Sequence, residues 1–192
     1  MNDVSFSENL SDGYSFSVFN GYAPVGINET LKRFNGKNLR PVIVCVGSDL
    51  VLGDSLGPLI GTMLKDRNLD AYVYGTLNFP ITAREVEYAA NYIKLLHPDC
   101  FYIAVDAAVG NDDDVGLIKA VNKGIKPGLG VDKRLGVIGD CGIIGVVAGK
   151  SAGNYSLFNL TRLNLIYKMA EKIAAGIYDY VCGYKNDISA GA

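Results

Sequence analysis

Histidine occurs once in the 192 residues, at His97. A Ser-His-Asp or Cys-His site could form around that residue alone, and no G-x-S-x-G elbow accompanies it. The four cysteines, Cys45, Cys100, Cys141 and Cys182, lie far apart, with no C-x-x-C spacing and no histidine beside them. That pattern argues against a zinc site, a dithiol redox motif and a disulfide framework. Cys45 and Cys100 fall in or beside apolar runs, where thiols are inert, and Asp140 next to Cys141 raises the pKa of the one thiol in a glycine-rich turn. No apolar run reaches the roughly eighteen residues of a membrane span. The opening MNDVSFSENL has no basic segment leading into an apolar one, so no signal peptide is read. An excess of positive charge is also missing. The 18 Lys and Arg against 20 Asp and Glu give a net charge of −2, and their dispersal leaves no footprint for nucleic acid and no polybasic membrane patch. These absences predict a cytoplasmic protein with neither nucleic acid nor membrane as a partner, and no cofactor.

What is present is a chain 49% apolar, long enough to bury one full core. Residues 1–38 are rich in Ser, Asn and Gly and lack a sustained period, so they are expected to form a loosely structured arm or a short helix near Asn28 to Phe34. A single domain is expected over residues 39–192. Within it, strand signals at Pro41 to Val46, Ala71 to Gly75 and Phe101 to Asp106 alternate with helix signals at Gly57 to Arg67 and Thr82 to Leu96. Near-continuous apolar strands alternating with helices predict an α/β fold, a three-layer αβα sandwich around a mostly parallel sheet. Val115 to Val121 and Arg134 to Ile138 follow without an intervening helix, which suggests an antiparallel excursion at the sheet edge. Tyr155 to Val181 carries apolar residues at three-and-four spacing and predicts a long amphipathic helix, capped by Asn154 or Ser156 and ended by Gly183.

Two aspartates stand where strand runs meet small residues. Asp54 lies in Gly53-Asp54-Ser55-Leu56-Gly57-Pro58 just before a helix, where an N-cap or an Asx-turn would account for it as well as chemistry. Asp106 ends Tyr102-Ile103-Ala104-Val105 and is followed by Ala107-Ala108, whose small side chains leave room at a strand tip. On adjacent parallel strands the two carboxylates would converge at the carboxyl edge of the sheet. There they could share a proton, one acting as base toward water while the other donates, or hold a divalent cation. Other motifs fail on spacing. Gly142 to Ser151 ends in GKS, but Gly145 and Gly149 enclose three residues where a phosphate loop needs four, and Gly47-Ser48-Asp49-Leu50-Val51 is not G-x-G-x-x-G. Asn111 to Gly116 resembles the start of a calcium loop with Val115 at a ligand position, and reads as a solvated acidic turn. His97 reads as a helix-end cap.

Gly53 to Pro58, Val73-Tyr74-Gly75-Thr76-Leu77, His97-Pro98, Val105-Asp106-Ala107, Lys126-Pro127-Gly128-Leu129-Gly130, Val137-Ile138-Gly139-Asp140 and Thr161-Arg162-Leu163 occur in an order that resembles the YyaC-type sporulation proteins. The likeness runs from about Arg40 to Val181. It implies kinship with the germination protease that degrades small acid-soluble spore proteins, and more distantly with hydrogenase maturation endopeptidases. The implied fold is phosphorylase/hydrolase-like, in the cytoplasm of a sporulating cell. The resemblance also implies that Asp54 and Asp106 are catalytic and that protein or peptide substrates, small spore proteins among them, are the partners. Gly47, Ser48, Asp49, Ser55, Gly57 and Asp140 are then the candidate binding residues, and homo-oligomerisation is left open. The chain departs from this pattern at Leu50-Val51-Leu52, apolar where the family turn is polar. The nickel-sensing maturation proteases carry a histidine after the second acid, whereas His97 precedes Asp106, which disfavours nickel-dependent maturation.

Overall fold

The computed structural model describes residues 13–127, 136–150 and 161–190. The described strands form one six-stranded sheet in the order β1-β5-β6-β4-β2-β3. They are β1 (Gly13–Ser17), β2 (Pro41–Cys45), β3 (Tyr72–Tyr74), β4 (Phe101–Gly110), β5 (Leu117–Val121) and β6 (Cys141–Gly149). The pairs β3/β2, β2/β4 and β4/β6 are parallel, while β5 runs antiparallel to both β6 and β1. The antiparallel excursion expected after Asp106 is therefore β5, but it is not the sheet edge, because β1 pairs on its outer side. The helices among the described residues are α1 (Ala23–Phe34), α2 (Leu56–Asp66), α3 (Val86–Leu96) and α4 (Leu163–Ala190).

Strand alternation divides the core in two. Ile43, Cys45, Ile103, Val105, Ile118 and Ile143 face a cluster built by Ala23, Ile27 and Leu31 of α1, Leu56, Ile60 and Leu64 of α2, and Ile166, Met169 and Ile173 of α4. Val42, Val44, Tyr102 and Ala104 face the other way, onto Val86 and Ile93 of α3. This is the three-layer arrangement that the strand-helix alternation predicts.

Four expectations are corrected. Residues 13–38 are not a loose arm, and the helix expected near Asn28 to Phe34 is α1, which starts earlier, at Ala23: β1 pairs with β5 from Gly13↔Val121 to Ser17↔Leu117, and α1 buries Ala23, Ile27 and Leu31 completely. Asn35 then fastens the following turn, donating to the Tyr180 hydroxyl (2.7 Å) and the Leu39 carbonyl (2.7 Å). Second, the glycine-rich run after Asp140 is the strand β6, paired with β4 from Ile103↔Cys141 onward. Its glycines are there because neighbours press on it: a Cβ at Gly145 would meet Leu56 and Met169 of the helices, one at Gly142 would meet Ile125, and one at Gly149 would meet Asp112. Third, β4 does not end at Asp106 but continues to Gly110. Fourth, α4 begins at Leu163 and passes through Gly183 to Ala190, because a helical glycine costs only about 1 kcal/mol and this one is not in a left-handed turn. The proposed caps Asn154 and Ser156 lie outside the described residues, as do Arg134 and Leu135; Ile138 makes only an isolated bridge with Ile125.

Candidate functional site

The chain leaves β2 toward β3 on one side and returns through α3 to β4 on the other, so β2 and β4 flank a topological switch point. α2 lies on one face of the sheet and α3 on the opposite face. Open α/β sheets bind ligands in the crevice outside the carboxyl ends of the strands at such a point. Asp106 lies on β4, and Asp54 lies in the connection that leaves the carboxyl end of β2, so both expected carboxylates belong to the two chain segments that flank this crevice. The register defines their level. Val105 pairs with Cys45, the last residue of β2, and accepts the Val46 N–H at 2.8 Å. Asp106 is the next residue, just past the point where β2 stops, with Ile144 of β6 beside it in register.

Asp54 sits in a 3₁₀ turn, Leu52–Ser55, which leads into α2. The N-cap position of α2 is Ser55 and no side chain caps it, so Asp54 is not the N-cap of α2. The buried Ser55 hydroxyl instead donates to the Leu52 carbonyl at 2.7 Å and closes the turn. The turn is held against the sheet through backbone. Ser48 N–H donates to the Asp54 carbonyl (3.1 Å), and Gly47 N–H to the Ile81 carbonyl (2.9 Å). Gly47 has φ +143, and a Cβ there would collide with the Asp54 carbonyl, while one at Gly57 would collide with the Val46 carbonyl. Gly47, Ser48, Ser55 and Gly57 thus set where Asp54 stands, by close backbone approach. The Ser48 hydroxyl accepts the Leu50 N–H at 3.2 Å, and Asp49 and Leu50 are exposed at the rim.

The two carboxyl groups differ in environment. Asp106 is buried, and its Oδ1 accepts the Ala107 N–H at 2.8 Å. Burial and then the charge of Asp54 push its carboxyl up to about 8, against the pull of that hydrogen bond. Asp54 is half-buried; burial raises its pKa as well, while the Ser48 N–H works the other way. At neutral pH Asp106 therefore holds a proton that an isolated carboxylic acid would have lost.

Asp140 is elsewhere. Its Oδ2 accepts the Tyr102 N–H (2.8 Å) and its own N–H donates to the Tyr102 carbonyl (2.8 Å), which pins the start of β6 to the start of β4. Tyr102 is four residues before Asp106 along one strand, about 13 Å at the rise of a parallel strand, so Asp140 belongs to the amino edge. His97 lies at that edge too, as the C-cap residue of α3. Its Nε2 is 2.6 Å from the Tyr74 hydroxyl, its ring stacks on Tyr72 at 3.8 Å, and its carbonyl accepts the Tyr102 hydroxyl. Burial and then Arg40 lower its pKa. The buried Cys141 thiol is pushed up by burial and by Asp140. The acidic turn at Asp112–Asp114 is exposed and anchored by the pair Lys119 Nζ–Asp114 Oδ2, 2.9 Å.

One part of the site has no motif. Ile81 supplies the carbonyl that holds Gly47 and bridges to Val46, while Phe79 in the same loop is 80% exposed. The only sign in the sequence is an apolar pair astride Pro80. Among the described residues no group of three or more His, Cys, Asp and Glu gathers as a metal cluster would, and no helix is long and apolar enough to cross a membrane.

Comparison with known proteins adds kinship to this geometry. Over 152 residues the chain is 40% identical to a protein of Bacillus subtilis (strain 168) described as "Uncharacterized protein YyaC", a match spanning 79% of this chain and 73% of that protein. Residues 21–176, which include α1 as well as both aspartates, match the family model described as "Protein of unknown function (DUF1256)". With its switch-point aspartates and this match over most of its length, the chain belongs to the DUF1256 family, with the YyaC protein as a relative.

Proposed function

We propose that the chain is a peptidase-like hydrolase of sporulating cells, in which Asp54 and Asp106 activate water and cleave a protein or peptide bond. The observation that supports this best is the retained proton on Asp106 next to a second, more exposed carboxyl at the switch-point crevice. Asp54, the less buried of the two and the one that accepts the Ser48 N–H, takes a proton from water as its oxygen attacks the carbonyl carbon. Asp106 then gives its proton to the amine as the C–N bond breaks. This leaves Asp54 protonated and Asp106 ionised, and proton exchange restores the starting state. The two groups differ in environment as an acid and a base working at one pH must. Small spore proteins are the substrate class that the family resemblance suggests.

A second reading is favoured by Leu50, 88% exposed at the rim of the same crevice. In it the fold and its acidic pair serve as a binding or assembly module of a sporulation protein without catalysis. Incubation with a panel of small spore proteins, followed by mass spectrometry of the products, separates the two. Hydrolysis predicts defined cleavage by the wild type and a loss of at least about 1,000-fold in Asp54→Asn and in Asp106→Asn. Retention of activity in either variant would contradict the pair mechanism, and binding without cleavage across the panel would favour the module.

A further inference from the structure

α3 is the one helix on its face of the sheet among the described residues, and its outer side is apolar. Val86 and Ile93 point into the core, while Tyr88, Tyr92, Leu95 and Leu96 are 76%, 50%, 80% and 49% exposed. Residues four, seven and eight apart share a helix face, so these side chains form a continuous stripe along the solvent side. The Tyr88 and Tyr92 rings are already aligned, with centroids 6.3 Å apart and planes 4° apart. Single exposed apolar residues need no explanation, but a contiguous stripe of this kind marks a surface that another molecule covers.

The charges beside the stripe indicate the occupant. Glu87 and Lys94 are both exposed, and at two turns' separation they lie on the same flank. When a helix packs antiparallel on a copy of itself about a two-fold axis, like flanks meet with their order reversed. Glu87 of one copy then stands opposite Lys94 of the other, and the pair occurs twice. Parallel packing would set that flank against the flank of Tyr92 and Leu96, leaving both charges without partners. We propose that the α3 faces of two copies of this chain pack antiparallel into an isologous dimer, with Tyr88, Tyr92 and Leu95 at the centre and two Glu87–Lys94 pairs at the rim.

The stripe supplies roughly 500 Å² per protomer, so about 1,000 Å² in all, at the lower end of specific interfaces. Dissociation in the micromolar range follows, with charge fixing the direction of packing more than the affinity. Sedimentation velocity on the full chain up to about 100 µM tests this, with circular dichroism to verify that each variant is folded. The wild type should dimerise with rising concentration, and Leu95→Glu should weaken association at least about 100-fold by burying a charge. Glu87→Lys and Lys94→Glu, which set like charges opposite each other, should each weaken it by about fivefold, and the double exchange should restore it. A wild type that stays monomeric, a dimer indifferent to Leu95→Glu, or a double exchange no tighter than the single ones would overturn the proposal.

Discussion

At the scale of single residues, the burial of Asp106 has a consequence for stability that can be measured apart from any activity. Its folded pKa of about 8 is far above the ordinary carboxylate value. Below about pH 4 the group is protonated both folded and unfolded and has no effect. Between about pH 4 and 8 the unfolded chain releases the proton and the folded chain keeps it, so stability falls as pH rises, by about 1 kcal/mol per unit, and levels off above the folded pKa. Asp106→Asn can still accept the Ala107 N–H and carries no charge to bury. Its stability relative to the wild type should therefore rise progressively from pH 4 to 8 in urea denaturation. A constant difference across that window would mean that Asp106 ionises normally. The same pKa bounds the proposed hydrolysis, which should decline above about pH 8 as Asp106 loses its proton and on the acid side as Asp54 gains one. Cys141→Ser should leave cleavage unchanged, since its thiol is at the amino end of β6 beside Asp140, although a buried hydroxyl there costs about 1 kcal/mol or more of stability.

At the scale of elements, the contact between β2 and α2 determines where Asp54 stands. Gly57 lets the first turn of α2 approach the end of β2, since any Cβ there meets the Val46 carbonyl. Gly57→Ala should therefore destabilise the fold by about 3 kcal/mol or more, an overpacking penalty on backbone that cannot rotate away. A thermal midpoint within a degree or so of the wild type would show that the helix shifts freely. The elements that sequence reasoning reads correctly here are those with an unbroken signal: the apolar runs of β2 and β4, and the helices α2 and α3 that alternate with them, α3 starting at Val86 rather than Thr82. Those it misreads share a cause. In β6 the glycines that admit Ile125 (Gly142), Leu56 and Met169 (Gly145) and Asp112 (Gly149) dilute the apolar pattern and imitate a phosphate loop. In α1 the sequence suggests only a short helix near Asn28 to Phe34, because the Ile27-Leu31-Phe34 stripe is short and preceded by Gly26, and its extension to Ala23 is stabilised by packing on α4 that no local window contains. Asp140 stands in a turn motif like Asp54, yet it precedes its strand, β6, whereas Asp54 follows β2. Only the pairing of β6 with β4 reveals that it belongs to the opposite edge.

At the scale of the whole molecule, strand order is what converts two separated aspartates into one site. β4 inserts between β2 and β6, so the break between the α2 and α3 sides of the sheet falls between the strands that bear the acids. Among the described residues the same topology leaves α3 by itself on its face, with the apolar stripe that a second copy would cover. The acidic pair and the dimer surface are thus separate consequences of one arrangement, and loss of either should leave the other intact. Leu95→Glu monomers should keep the carboxyl titration of the wild type, and Asp54→Asn should still dimerise.

The proton held by Asp106 is the feature on which the proposed chemistry depends, and it can be observed directly. Carbon-13 NMR of labelled aspartate side chains, followed from pH 3 to 10 in the wild type and in Asp54→Asn, resolves the carboxyl of Asp106. The expected result is a protonated Asp106 at pH 7, titrating near 8 in the wild type and lower in Asp54→Asn, where the neighbouring charge is gone. An Asp106 that ionises near 4 in both proteins would contradict the coupled pair and, with it, the proposed hydrolytic site.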